Sequence, residues 1–315
     1  MIALAMLAVP AEAFAFSGIT GSSRIATPAA LPARVTPREV RLGAPVHITG
    51  RLPAALAGTT VELQTARSPR GPWSPMRRAR VSRRGRYSLR AVPRHSTLLR
   101  VISLAGPRVP AAPVAVADHL RAPHSRTRIS RVTRIRVRAA MRVPRRARGA
   151  LAGRPLAIAG RLLPARRGRV VSVQRRSGHA WRTVARGRTG RRGGFAVRFR
   201  PQPGARGELR VVFAGDRANS RATAAAGMLA VYQPVVVSWY LDGGATACGF
   251  HATDGIANRT LPCGTQVRLR RGARTVTATV DDRGPYVYGR QYDLSQTTAA
   301  ALGFSGVGTI LASVQ

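Results

Sequence analysis

The chain has no lysine. All 53 of its basic residues are arginine, set against 11 acids, for a net charge of +42 over 315 residues. Aromatics make up only 5%, and there are six histidines and two cysteines. Each shortage excludes something. The histidines, at 47, 95, 119, 124, 179 and 251, stand at no ligand spacing to one another or to the cysteines, so neither a metal centre nor a cofactor is expected. Beyond the first residues, no stretch reaches the roughly 18 to 20 uninterrupted apolar residues of a membrane span. No long apolar stripe of period 3.6 appears, which argues against a helical fold. Arginine without lysine, alongside abundant Ala, Gly, Pro and Val, is what high-GC coding produces. The basicity alone is therefore a weak sign of nucleic-acid binding.

What is present divides the chain. Met1 to Phe16 is apolar apart from Glu12, and Ala11-Glu12-Ala13 has the small-x-small form of a signal-peptidase site. Residues 1–24 thus read as an export signal, although no basic residue precedes the apolar run. Secretion to the cell wall follows, and with it no expected transmembrane segment in the mature protein. In that oxidising setting two cysteines fifteen positions apart, Cys248 and Cys263, suit one disulfide, contributing on the order of 3 kcal/mol in the chain-entropy model. Charge is uneven as well. Residues 236–315 hold seven arginines and five acids, a net of +2, which leaves +40 for the rest. The two parts are expected to meet different partners.

An internal repeat organises the basic part. Gly50-Arg51-Leu52 recurs as Gly160-Arg161-Leu162, and the run Gly58 to Gln64 recurs as Gly168 to Gln174, both offset by 110. Trp73 matches Trp181, and Gly85 to Arg90 matches Gly193 to Arg198, offset by 108. Val61/Leu63, Val171/Val173 and Ile135/Val137 alternate with polar neighbours, the period of two that buries one strand face. Two tandem sandwiches are expected, at 25–110 and 129–234, joined by a linker at 111–128 rich in Ala, Pro and Arg. One tryptophan after a turn in each reads as a core plug. The second unit resembles bacterial immunoglobulin-like repeats at Leu209 to Asp216.

The last unit, 235–315, is again strand-rich. Val235 to Tyr240 is an apolar strand, and Thr265 to Arg271 and Thr275 to Val280 alternate around a break at Gly272. Ser295 is placed to cap a short helix through Leu302, with Gly303 supplying a left-handed stop. Breaking a glycosidic bond needs a carboxyl that protonates the leaving oxygen. Asp282 and Asp293 flank a turn and are the candidates, while Asp281 receives no role. Turn capping and a bond to a backbone amide are the structural alternatives for these two.

Five ordered segments now stand out: Ser238-Trp239-Tyr240, Thr246 to Gly249, Arg259 to Thr265, Asp281 to Tyr286, and Tyr292 to Ser295. Together they resemble the RlpA-like double-psi β-barrel, a bacterial cell-wall domain related to the expansins. The resemblance implies a six-stranded barrel with one short helix, which with the two immunoglobulin-like sandwiches expected before it makes the chain mainly β. It also implies that the barrel engages peptidoglycan glycan strands, as a lytic transglycosylase using Asp282, with Asp293 as a second catalytic candidate that matches the acid of the expansin-related endoglucanases. Trp239, Tyr240, Tyr286 and Arg283 would contact the sugar. Catalytic relatives carry a glutamate where this chain has Phe250, so a non-catalytic, expansin-like wall-loosening protein is the alternative. The arginine-rich repeats are expected to adhere to anionic wall polymers. Nucleic acid is not an expected partner, because the arginines are dispersed on strand faces of an exported chain.

Overall fold

The computed structural model describes residues 30–104, 127–241 and 243–315. The export signal read at 1–24, and residues 111–126 of the segment read as a linker, lie outside that description. The chain is mainly β with one α-helix.

The first unit runs through β1 (Arg34–Thr36), β2 (Glu39–Arg41), β3 (Val46–Arg51), β4 (Thr60–Ala66), β5 (Ser74–Arg80), β6 (Arg86–Ala91), β7 (Thr97–Ser103) and β8 (Thr133–Arg138). Hydrogen bonding orders these as two sheets, β1-β3-β6 and β5-β4-β7-β8-β2. Their inner faces share one core that includes Ile48, Leu89, Leu63 and Val101. In β6 the alternation is complete, with Tyr87, Leu89 and Ala91 buried between exposed Arg86, Ser88 and Arg90.

The second unit repeats this wiring with β9 (Ala140–Arg142), β10 (Arg148–Leu151), β11 (Leu156–Leu163), β12 (Val170–Ser177), β13 (Ala180–Arg188), β14 (Gly194–Phe199), β15 (Arg206–Gly215) and β16 (Ser220–Tyr240). Its sheets are β9-β11-β14 and β13-β12-β15-β16-β10. Matched strands even keep register. Gly50 faces Tyr87 in the first unit, and Gly160 faces Phe195 in the second.

Two expectations change. β8 pairs with β2 and β7, and its Ile135 and Val137 are wholly buried in the first core. Residues 111–128 therefore connect β7 to β8 within the first unit, and the second begins near Ala139 rather than at 129. Composition made an insertion look like a linker; in the second unit the same connection is only the turn Asp216–Asn219. Trp73 and Trp181 are not core plugs either. Each is half-buried beneath an arginine, with Arg100 4.2 Å and Arg210 3.9 Å from the ring centroids. Arg100 donates to Gln64 at 2.9 Å and Arg210 to Gln174 at 2.8 Å, so the whole trio is repeated.

That four-residue turn clasps the two units together. Asp216 Oδ1 accepts from the amides of Ala218 and Asn219, and Asn219 Nδ2 donates to the carbonyls of Arg94 and Val137 across the boundary. Ser96 N donates to Ala218 O at 2.6 Å. Toward the other end no connector intervenes. β16 continues for 21 residues, giving Leu229 and Val231 to the second core, then Val235 and Val237 to the third.

The third unit adds β17 (Gly255–Ala257), β18 (Gln266–Arg271), β19 (Arg274–Asp282), β20 (Tyr292–Ser295), α1 (Gln296–Leu302) and β21 (Gly308–Val314). Pairing runs β16-β20-β17-β19-β18-β21 and returns to β16, so six strands close into a ring. Val237, Ile256, Leu269, Val280, Leu294 and Leu302 are fully buried in its core. Burial of each such side chain is worth about 1.5–3 kcal/mol. The helix is bounded as its sequence predicts. Ser295 Oγ accepts from Thr298 N, and Gly303 stops it at φ 61°. Thr298 Oγ1 then donates to Gly255 O at 2.9 Å, seating α1 against β17.

Candidate active site

The ring's topology brings the two predicted aspartates to one place. Ser238 on β16 pairs with Asp293 on β20, Asp293 pairs with Ala257 on β17, and Ala257 pairs with Asp282 on β19. Paired residues share a face, so these four form one cross-strand row. Two strand spacings put the backbones of Asp282 and Asp293 roughly 10 Å apart.

A bulge sets the face of Asp282. Ile256 pairs with Val280, but the next residue, Ala257, pairs with Asp282, leaving Asp281 as the extra residue on β19. Without it the alternation would point residue 281 into the row and residue 282 away. Bulges commonly re-aim a side chain in this way.

The three aspartates have different environments. Asp282 is half-buried, and its Oδ1 accepts from the backbone amides of Ala247 and Arg283, both at 2.8 Å. No partner is bonded to Oδ2 among the described residues. One pinned oxygen and one open oxygen are what a positioned proton-transfer group requires. Asp293, also half-buried, bonds the Ser238 hydroxyl, which in turn accepts from Arg290 at 3.0 Å. Asp281 is 2% exposed; its Oδ2 accepts from Ala252 N at 2.9 Å, and Oδ1 has no hydrogen-bond partner among the described residues. Burial pushes its carboxyl above the usual carboxylate range, and the Asp282 charge adds to the rise against the opposing Ala252 amide and His251. A side chain at Gly255 would collide with that carboxyl, whose Oδ1 lies 2.8 Å from where a Cβ would sit.

Arg283 faces inward. It donates to the carbonyls of Asn258 and Leu261 at 3.0 and 2.8 Å and lies 3.1 Å from Cys263 Sγ. Asn258, 8% exposed, accepts from the amides of Thr260 and Leu261 and donates to Gln291 O. Cys248 and Cys263 are bonded, with Cα atoms 5.8 Å apart. Arginine, asparagine and disulfide together fix the loop that leads to Asp282's partner Ala247.

Several aromatic rings of the third unit are exposed. Trp239 is 38% exposed, Tyr286 81% and Tyr288 100%, while Tyr240 is half-buried. Phe250 is also exposed. Sequence reasoning missed Tyr288, Ser238 and Arg290, and it gave Asp281 no role. The alternation of Tyr286 and Tyr288 around Val287 was a usable signal for the first. Concavities of about 500 and 600 Å³ lie on the second unit, away from this row. An extended polymer needs an open groove rather than a pocket, so the row remains the better candidate. No group of three or more metal-binding side chains occurs among the described residues.

Residues 233–314 match a family model described as "Lytic transglycolase". Over 85 residues the chain is 39% identical to the probable endolytic peptidoglycan transglycosylase RlpA of Synechocystis sp., covering 24% of this chain and 26% of that protein. Over 54 residues it is 46% identical to the protein of the same description from Nostoc sp., covering 16% and 15%. The chain thus spans about a quarter or less of these curated relatives. A solved chimeric titin Z1Z2-Z1Z2 tandem is 15% identical, with a TM-score of 0.24 over 64% of this chain and 99% of that one, a likeness that carries no argument. Both candidate aspartates, the disulfide and the exposed tyrosines fall within the stretch that resembles the lytic transglycosylases.

Proposed function

We propose that residues 233–314 form an RlpA-like double-psi β-barrel that cleaves peptidoglycan glycan strands as a lytic transglycosylase, with Asp282 as the proton-transfer residue. The observation that carries this reading is the open Oδ2 of Asp282, on a bulge that aims it into the same row as Asp293, within the segment matching the family. In this chemistry a hydroxyl of the cleaved sugar attacks its own anomeric carbon. One carboxyl gives its proton to the leaving glycosidic oxygen and takes one back from the attacking hydroxyl, so the protons balance without a second acid. Asp293, tied to Ser238, would orient the sugar or steady the developing positive charge. Tyr286, Tyr288 and Trp239 offer flat apolar faces to pyranose rings. Arg283 holds the loop in this reading.

A second reading, a non-catalytic expansin-like binder, is favoured by one observation. Phe250 stands where a second carboxyl is expected, and the two amide bonds to Asp282 suit a structural cap. Mass spectrometry of soluble fragments released from purified peptidoglycan separates the two: anhydro-ended products support the transglycosylase, reducing ends a hydrolase, and no release the binder.

The two preceding units are proposed as immunoglobulin-like spacers in an exported, wall-associated protein that adheres to anionic wall polymers through the +40 part of the chain. Binding of the full chain to isolated walls should then weaken steeply between 0.1 and 1 M salt, as the Debye length falls from about 10 to 3 Å. Because β16 runs through the boundary at 234, the full chain is the appropriate sample.

A further inference from the structure

The repeat contains its own control experiment at one position. In the first unit Glu62 pairs across β4 and β5 with Arg78, and the two side chains form an ion pair at 2.7 Å. Hydrogen bonds from Gln64 and Arg78 hold Glu62 below the usual carboxylate range, and it is only 4% exposed. At the matched place in the second unit Ser172 pairs with Arg186 across β12 and β13. Serine leaves that guanidinium without its carboxylate.

The vacant position opens into a concavity of about 600 Å³. Arg166, Arg167, Arg186 and Arg217 line it alongside Ser172, and none of these four makes a side-chain hydrogen bond or ion pair among the described residues. Its one carboxylate, Asp216, is already committed to Arg169 and to the amides of Ala218 and Asn219. Four guanidinium groups around one opening repel one another, and no carboxylate among the described residues relieves them as Glu62 relieves Arg78. An oxyanion would, and guanidinium forks match phosphate oxygens bidentately.

We propose that this concavity is a phosphate-binding site that grips a phosphodiester of an extended anionic wall polymer. The proposal deepens the adhesion reading above, on which it rests, by giving adhesion a specific address on the second unit. Arg186 and Arg217 approach the site from opposite elements, β13 and the Asp216–Asn219 turn. A bound phosphate would therefore brace the same turn that clasps the first unit.

The test is calorimetric titration of the full chain with a short poly(glycerol phosphate) and, separately, with polyglutamate of equal charge. The wild type should bind the phosphodiester saturably at one site. Ser172→Glu restores the first unit's ion pair and should weaken that binding at least about tenfold, the scale of a lost charge-assisted contact, without lowering Tm. Arg186→Gln should weaken it similarly. Equal affinity of wild type and Ser172→Glu would overturn the site while leaving general adhesion standing. Equal binding of polyglutamate would overturn the phosphate assignment, and absence of any phosphodiester binding would overturn the site and the adhesion reading together.

Discussion

Asp282 and Asp293 are held on either side of the same residue: Ala257 pairs with Asp282 across one strand boundary and with Asp293 across the other. Their relative position is thus fixed by backbone hydrogen bonding through a third strand. It does not depend on the conformation of the turn between them. A site built on strands in this way holds geometry better than one built on loops.

Asp282→Asn keeps an Oδ1 that can accept from the Ala247 and Arg283 amides. The variant should fold with nearly unchanged Tm while release of anhydro-sugars falls by about 10² to 10⁴. A variant that unfolds would make the residue a turn cap. A variant as active as wild type would remove it from the chemistry.

Asp281 predicts a pH dependence of opposite sign to that of most carboxylates. Its folded value lies above its unfolded one, so its contribution is fully present below the unfolded value, about pH 4, and is lost as pH rises through the folded value. Asp281→Asn mimics the protonated form. It should therefore be at least as stable as wild type at pH 7, with the advantage shrinking as pH falls through the raised folded value and gone below about 4. A variant less stable at pH 7 would show that the fold needs Asp281 charged.

Asn219→Ala removes both donors to the first unit and the acceptor for Arg169 Nη2. Urea unfolding should register a loss of about 1–3 kcal/mol. Small-angle scattering should show a broader spread of orientations between the first two units. Unchanged scattering would mean that other contacts fix the pair.

Alkylation of exported protein without reductant should label no thiol, since Cys248 and Cys263 are bonded. Replacing both with serine should cost about 3 kcal/mol. Release of the loop at Ala247 should also lower glycan cleavage. Wild-type stability in the double variant would contradict a stapling role.

Much of this architecture was legible in residue spacing. Alternation at Val61/Leu63 and Ile135/Val137 marked strands, the 110-residue offset marked the repeat, and Ser295 and Gly303 bounded the helix to the residue. Local composition failed where topology decides. The Ala- and Arg-rich run after β7 looked like an interdomain linker because nothing local reveals that β8 returns to pair with β7. The site was half legible. Adjacent aspartates cannot both face one groove on a regular strand, and only the pairing of Ala257 shows that a bulge buries Asp281 and aims Asp282. That the Arg283 guanidinium bonds the carbonyls of Asn258 and Leu261 was not legible, because those acceptors are set by a loop distant in sequence.

The most direct test incubates the purified full chain and its Asp282→Asn variant with peptidoglycan and identifies the soluble fragments by mass spectrometry. The account predicts anhydro-ended glycans from the wild type and none from the variant, with both proteins equally retained on the polymer. Reducing-end products, or no products from a folded and wall-bound wild type, would contradict it.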